Sequence, residues 1–406
     1  MPTERGVAVP MGIDQPYKRH VAIFAGIHDY AEQHPNWHLI IDEWADHTLP
    51  AAAGMPAPYD GIVGRITPLG ARRAKRLGVP AVNVHFSSSA RGLPGVYADY
   101  AACGRLRAEH LLARGFRNFA VQVDQGDRAS LLEGEAFERT VREAGCETFA
   151  EVVLDFIGKE AQGSQVTPKD WRSAMRKIDQ WMDRWVLPVG LYVHGLDVAR
   201  VLLEKCRERG WRVPESVAMV AGRNEEAACD RPNPSISSLE LPYEQVGYEA
   251  ARLLDRLMDQ KANHARRRKA AVWRAAPTTI LLPPVGIVAR RSTDFYAVDD
   301  DLVRDAMRFI DTNLARRLNV DMVADALAVS RRNLESRFRK KLNRTIAGEI
   351  QRLRIERTKR ELTGTDKTIH QIAALVGFAS PRTLHDAFRV AVGCTPAKFR
   401  KRGREG

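Results

Sequence analysis

The sequence lacks any apolar run of the roughly 20 residues that a membrane-spanning helix needs, and its first segment, MPTERGVAVP, holds no stretch typical of a signal peptide. Its cysteines are odd in number and scattered, with no CxxC pair and no metal-ligand spacing to histidine: Cys103, Cys146, Cys206, Cys229 and Cys394. We therefore expect a cytoplasmic protein with reduced thiols, no metal, no cofactor and no membrane partner.

Motifs that carry common enzyme chemistry are also missing. We find no GxGxxG after the first apolar run, no phosphate-binding GxxxxGK[ST] and no nucleophile elbow GxSxG. Strand–turn–helix repeats also build kinases and dehydrogenases, but Asp124 and His194–Gly195, which end apolar runs, have no evident catalytic partner. We therefore predict that the chain is not an enzyme.

Positive charge is concentrated at one end of the chain. Lys and Arg exceed Asp and Glu by 63 to 50 over the 406 residues, a net charge of +13. Residues 299–406 hold 24 Lys and Arg against 14 Asp and Glu, a net of +10, which leaves +3 for the first 298 residues. Solubility does not require that asymmetry, so it indicates a polyanionic partner, double-stranded DNA, for the last quarter of the chain.

The first 290 or so residues alternate short apolar runs with amphipathic stretches such as Tyr100–Arg114, where Leu106, His110 and Leu111 lie near one face. This alternation predicts parallel sheets with helices on both faces. A basic segment, about 259–276, reads as a loop, and whether it touches DNA stays open. A further apolar strand follows it at Thr279–Val288. The other predicted strands are Gly6–Met11, Trp37–Asp42, Gly61–Arg65, Ala81–His85, Val96–Ala98, Phe119–Val123, Val152–Phe156, Gly190–His194 and Val217–Ala221.

Two stretches near the C-terminus repeat one design, a short helix, a tight turn and a capped second helix. In the first, Ser330 is the predicted cap of a helix with apolar residues at Leu334, Phe338 and Leu342. In the second, Gly377 fits the turn and Ser380 precedes a helix with Pro381 at its first position. A basic linking helix is predicted over roughly Ile346–Glu361. A solvated helical bundle is the alternative, but the repeated capped design favours two helix-turn-helix units.

A helix of this kind fits the major groove, where its first turns reach base edges. Positions that do not face the core are the candidates for base reading: Arg331, Arg332, Asn333, Ser336, Arg382, Thr383, His385 and Asp386. Further basic residues are candidates for phosphate contacts, which position the protein without reading sequence: Arg337, Arg339, Lys340, Arg354, Arg389 and Lys401.

Residues 300–402 resemble the DNA-binding domain of arabinose-operon-regulator type proteins. The resemblance rests on SRRNLESRFRKKL (330–342), Ile372–Ala373, Gly377–Phe378, Phe388 and GCTPAKFR (393–400). It implies two units that read successive major-groove segments. Leu384 stands where many relatives carry an aromatic residue.

Residues 5–296 resemble the sensor of one branch of that family, the xylose-operon regulators. The similar segments include Tyr17 to Arg19, Asp60–Val63, Asp99, residues 222–254 and residues 280–294. The resemblance implies an α/β two-lobe periplasmic-binding-protein-like sensor (1–296) joined to an all-α double helix-turn-helix domain (297–406). It also implies a sugar effector in the cleft, a homodimer and RNA polymerase as partner, with activation as the mode of control.

The sequence departs from that branch at two positions where relatives carry an aspartate, here Gly195 and Arg223. We therefore keep two effector classes open, a neutral pentose and an anionic sugar acid or sugar phosphate, since arginine matches carboxylate and phosphate. Arg223 could instead pair with Glu225, Glu226 or Asp230. The candidate ligand residues are Asp14, Arg19, Arg65, His85, Asp99, His194, Arg223 and Asn224.

Overall fold

The computed structural model describes residues 4–12, 18–52, 54–146, 149–154, 167–266, 276–298, 300–342, 344–365 and 367–405. Asp14, Tyr17 and half of the predicted basic segment (267–275) lie outside these ranges, and the Lys401 side chain is not described. Among the described residues, no helix is both long and apolar enough to span a bilayer.

Twelve strands are described: β1 (Arg5–Val9), β2 (Trp37–Ile41), β3 (Gly61–Gly64), β4 (Ala81–Asn83), β5 (Gly95–Ala98), β6 (Asn118–Asp124), β7 (Phe149–Leu154), β8 (Val189–Val193), β9 (Val217–Arg223), β10 (Ser237–Glu240), β11 (Thr279–Leu282) and β12 (Gly286–Val288). The helices of the two α/β portions are α1 (Lys18–Glu32), α2 (Ala45–Thr48), α3 (Pro68–Leu77), α4 (Tyr100–Ala113), α5 (Arg128–Glu143), α6 (Pro168–Met182), α7 (Leu196–Glu208), α8 (Glu226–Asp230) and α9 (Tyr243–Arg266). The C-terminal helices are α10 (Asp301–Asn313), α11 (Val320–Ala326), α12 (Arg331–Leu342), α13 (Ile346–Gly364), α14 (Ile369–Leu375), α15 (Pro381–Val392) and α16 (Pro396–Glu405).

The chain divides into two compact units. The first comprises Met1–Asp99, Pro242–Pro283 and the last two residues. Its six-stranded sheet has the order β11-β5-β4-β3-β1-β2, and every described pairing in it is parallel. Helices α1 and α9 pack closely because Gly26 and Gly247 lie at their crossing. A Cβ atom added to either glycine would lie within 2 Å of a main-chain oxygen of the other helix.

The second unit comprises Tyr100–Leu241 and Pro284–Arg404, and therefore holds the second sheet together with the C-terminal helices. Its sheet has the order β12-β10-β9-β8-β6-β7, with β12 antiparallel and the other strands parallel. Strand β8 is wholly buried, and β9 is buried except for its last residue. Trp181, Trp185 and Leu191 lie in the core on one face of this sheet.

The predicted strand Thr279–Val288 is wrong as a single element. It forms two strands, β11 in the first sheet and β12 in the second. Pro283 and Pro284 interrupt it because proline has no N–H to donate to a strand partner. The predicted loop at 259–276 is also wrong over its first part, because α9 continues to Arg266. Strand β10 was not predicted, since its polar sequence SSLE gives no apolar signal.

The C-terminal helices pack around two apolar cores, and the predicted core positions are confirmed. Leu334, Phe338 and Leu342 are buried in the first core. Leu384 and Phe388 are buried in the second. Helix α13 serves both cores, since Ile346 and Ile350 pack in the first and Ile355 and Leu362 in the second. Tyr296 also packs in the first core, and the boundary between residues 296 and 297 stays a prediction.

Candidate effector site and DNA-binding surface

In the first unit, three predicted ligand residues follow strands at the carboxyl edge of the sheet. Arg65 follows β3, His85 lies just beyond β4, and Asp99 follows β5 and precedes α4. Ligands of open α/β sheets bind at such edges. The amide of Asn83, 2% exposed, fixes this edge by donating to His85 O (3.0 Å) and to the Tyr97 hydroxyl (3.2 Å).

Arg19 and Arg65 act on the same buried histidine. His20, which the sequence analysis missed, is 6% exposed, and its Nδ1 lies 3.0 Å from Gly12 O. Burial lowers the pKa of His20, and the positive charges of Arg19 and Arg65 lower it further. The guanidinium groups of Arg19 and Arg65 therefore both lie close enough to His20 for their charges to act on it.

In the second unit, β6, β8 and β9 end beside a buried cluster of charged side chains. We call it the α4–α5 network; its members are Arg107, Asp127, Glu133, Tyr192 and His194. Arg107 on α4 and Glu133 on α5 are both fully buried, with Arg107 Nη1 3.1 Å from Glu133 Oε2. Arg107 Nη2 also donates to Gly222 O (2.9 Å), and the Tyr192 hydroxyl donates to Glu133.

His194 joins this network to the strand ends. Its Nε2 lies 3.2 Å from Asp127 Oδ2, and its Nδ1 lies 3.9 Å from Glu133 Oε2. Its main-chain N–H and that of Gly195 both donate to Gln122 Oε1, at 3.0 and 3.4 Å. The His194 ring is thereby held by Asp127, the N-cap of α5, and by Glu133 on α5, while its main chain is held by Gln122 on β6.

The contacts within the α4–α5 network favour the charged forms of Glu133 and His194. Burial alone would raise the pKa of Glu133, but Arg107, the hydrogen bond from His194 and the charge of Arg223 lower it to about 2. Burial alone would lower the pKa of His194, yet hydrogen bonds to Asp127 and Glu133 raise it above the ordinary value. A buried charge needs such partners, because an unpaired one is strongly destabilising.

Arg223 ends β9 beside this network, with its guanidinium 5.8 Å from the ring centre of Tyr100. Its charge acts on Glu133, Tyr192 and His194. Asp230, one partner considered for Arg223, pairs with Arg290 at 2.5 Å.

Both polar groups of the Asn224 side chain have hydrogen-bond partners within the protein. Its amide donates to Glu226 (3.2 Å) and Glu240 (2.5 Å), and its oxygen accepts from Ser238 and Arg290. These bonds favour a structural role for Asn224, and its role as a ligand residue stays a prediction.

The second helix of each helix-turn-helix unit presents most of the predicted base-reading residues to solvent. Arg331, Arg332, Asn333 and Ser336 on α12 are exposed, as are Arg382, Thr383 and Asp386 on α15, while His385 is half-exposed. The predicted caps are confirmed, since Ser330 accepts from Asn333 N (3.3 Å) and Ser380 from Thr383 N (3.2 Å).

The predicted phosphate-binding residues divide into two groups. Arg339, Lys340 and Arg389 are exposed. Arg337 instead pairs at 2.7 Å with Asp300, which caps α10. Arg354 is half-buried, donates to Arg316 O (2.9 Å) and lies 5.7 Å from the ring centre of Phe378. These contacts favour a structural role for Arg354, and the phosphate contacts stay predictions.

Two domain models match the chain, a periplasmic binding protein-like domain over residues 108–293 and a helix-turn-helix domain over residues 323–402. The xylose operon regulatory protein of Haemophilus influenzae is 30% identical over 311 residues, covering 76% of this chain and 74% of that protein. The chain belongs to the xylose operon regulatory protein family. The Escherichia coli K12 member is 29% identical over 294 residues, covering 72% and 69% of the two chains.

The solved structure of a xylose-binding transcription activator, xylR, covers 98% of this chain and 98% of its own, with 24% identity and a TM-score of 0.54. A cellobiose complex of the regulator CelR covers 72% of this chain and 86% of its own, with 20% identity and a TM-score of 0.51. These likenesses support the fold. The predicted two-lobe sensor with a helix-turn-helix domain is thus confirmed, as is a DNA-binding transcription regulator rather than an enzyme.

Proposed function

We propose that this regulator activates a sugar catabolic operon and that its effector is a neutral sugar, with xylose as the first candidate. The names of its relatives and of the xylR structure support this assignment. Within the second unit, we place effector-binding residues at the ends of β6, β8 and β9, where His194, Asp127 and Arg223 offer hydrogen-bond donors and acceptors.

The two carboxylates of the α4–α5 network, Glu133 and Asp127, are the observation that carries the choice of a neutral effector. Arg107 and Arg223 supply two positive charges and His194, whose pKa is raised, supplies a third when protonated, while Glu133 and Asp127 supply two negative charges within the same cluster. Because the charge of Arg223 already acts on the buried carboxylate of Glu133, Arg223 has an anionic neighbour within the protein and does not require a ligand anion. A sugar hydroxyl can instead accept hydrogen bonds from the Arg223 N–H groups, since ligand sites use a few polar groups in this way to orient the ligand.

An anionic sugar acid or sugar phosphate is the second candidate, and the first unit supplies the observation that favours it. The charges of Arg19 and Arg65 both act on His20, so two guanidinium groups lie near one residue of this unit. If the effector is anionic, Arg19 and Arg65 rather than Arg223 are the residues that we expect to hold its charge.

A thermal-shift screen of the full chain tests both candidates. The panel contains neutral pentoses and hexoses, sugar acids and sugar phosphates, and a ligand at about 100 times its Kd adds roughly 2.7 kcal/mol of stability. A shift with a neutral sugar, weakened by Arg223→Gln and retained in Arg65→Gln, supports the first candidate. A shift confined to acids or phosphates and lost in Arg65→Gln supports the second. No shift with any sugar contradicts the proposed function.

For DNA, we propose that α12 and α15 enter successive major-groove segments, with the exposed residues of each helix reading bases. Selection of duplexes from random DNA by the full chain tests this, since two separated blocks of preferred bases are expected. We also propose a homodimer that acts in the cytoplasm and contacts RNA polymerase. Light scattering of the purified chain tests the dimer, and a pull-down with the polymerase tests the second partner.

A further inference from the structure

Helix α4 reaches from the proposed effector edge to the DNA-binding helices within the second unit. Its first residue, Tyr100, lies against Arg223, and Arg107 in its middle is part of the α4–α5 network. Its last residue, Ala113, accepts a hydrogen bond from Arg344, just before α13. A helix of this length spans about 20 Å and behaves as one rigid element.

A buried carboxylate holds Arg344 in place. Arg344 Nη2 donates to Ala113 O at 2.7 Å, and its Nε lies 2.8 Å from Glu349 Oε2. Glu349, in the first turn of α13, is fully buried, and Arg352 binds both of its oxygens, at 2.7 and 3.1 Å. The last carbonyls of a helix lack intrahelical partners and carry partial negative charge, so a cation such as Arg344 is favourable there.

The segment between sensor and helices is tied to the same end of α4. Arg114 O accepts from Ala297 N (2.7 Å), and Arg114 Nε donates to Thr293 O (2.6 Å). Gly115 has a φ of +89°, and a Cβ atom there would lie 3.0 Å from Ala297 O. Any movement of the end of α4 is therefore transmitted both to this segment and to the start of α13.

We propose that Arg344, held by Glu349, is the positioning residue that couples the sensor to the DNA-binding domain by docking α13 on the end of α4. The inference rests on the proposed function, because it assigns the route by which the effector acts. Buried ion pairs add little net stability compared with apolar packing. The Arg344–Glu349–Arg352 cluster instead fixes which side chain meets Ala113 O and from which direction.

The substitution R344K tests this without leaving Glu349 unpaired. Lysine keeps a positive charge near Glu349, and Arg352 is unchanged. However, lysine offers a single ammonium group where arginine bridges Glu349 and Ala113 O with a rigid fork. The control is R308K, since Arg308 is exposed on α10 and pairs with Asp305 in the same helix.

The experiment measures the affinity of the full chain for a duplex that the wild type selects from random DNA, with and without saturating D-xylose. Couplings between sites are typically about 5–150-fold. We expect a ratio of that order in the wild type and in R308K, and a ratio within about two-fold of one in R344K. The affinity for D-xylose without DNA and the unfolding midpoint should stay as in the wild type. An unchanged ratio in R344K overturns the inference.

A wild type that does not respond to D-xylose contradicts the proposed effector, and hydrogen exchange then decides the inference separately. R344K should raise exchange both at the end of α4 (111–116) and in the first turn of α13 (346–350), whereas R308K should change neither. Exchange that stays at the wild-type level in either segment overturns the proposed docking.

Discussion

Removing Arg107 should destabilise the second unit more than almost any other single change. R107M leaves the carboxylate of Glu133 fully buried and removes the cation closest to it. Breaking a buried ion pair in this way costs about 3–5 kcal/mol. In a unit of this size each kcal/mol lowers the melting temperature by about 2–4 °C, so a fall of roughly 6–20 °C is expected.

The double variant R107M/E133M should be more stable than R107M alone. It removes the orphaned charge and loses two short hydrogen bonds, from the Tyr192 hydroxyl and to Gly222 O, besides the longer contact of His194 Nδ1 with Glu133 (3.9 Å). At about 1 kcal/mol each, these place the double variant about 2 kcal/mol below the wild type. Urea unfolding followed by near-ultraviolet circular dichroism measures both variants, since Trp181 and Trp185 lie in this unit's core. A double variant less stable than R107M would refute the reasoning.

Three further predictions concern the turn, the network and the DNA surface. A328G should stabilise the chain by up to about 1 kcal/mol in thermal unfolding, because Ala328 has a φ of +54° that strains a residue with a Cβ atom. The free energy of unfolding should differ most between wild type and E133Q from about pH 4.5 to 6.5. The lowered pKa of Glu133 stabilises the folded chain above about pH 4.5, and the raised pKa of His194 stabilises it below about pH 6.5. A difference that is flat from pH 4 to 8 contradicts this. R382A should relax base preference at one position, by about 1–3 kcal/mol, whereas R389A should weaken all duplexes alike and reduce the salt slope by about one, as measured by fluorescence anisotropy.

Periodicity predicted the parts of this fold that are apolar or repeated. Buried strands such as β8, and the helix cores at Phe338 and Phe388, carry strong local signals. Strand β10 was not predicted because Ser237 and Ser238 are buried polar residues that form hydrogen bonds with residues distant in sequence, such as Arg290 and Asn224. Such partners leave no periodic trace.

The residues of the proposed effector edge were predictable only in part, because several of their partners are distant in sequence. His194 and Arg223 were found because they end apolar strands. Arg107 and Glu133 lie on helices, where a charged residue normally faces solvent. Leu106, His110 and Leu111 were predicted to lie near one face of α4, whereas its buried face includes Leu111 together with Arg107. A buried arginine becomes favourable only through a carboxylate on α5, which a single helix cannot reveal.

The packing between the two helix-turn-helix units indicates where effector control can act. Gly377 lets the turn of the second helix-turn-helix unit approach the main chain after α10, since a Cβ atom at Gly377 would lie 2.3 Å from Leu314 O. Arg354 donates to Arg316 O in the same segment, and α13 packs in both cores. The spacing of α12 and α15 is therefore set within the domain. The proposed effector control therefore acts on how the whole domain is docked, and Arg344, just before α13, lies at the docking point proposed above.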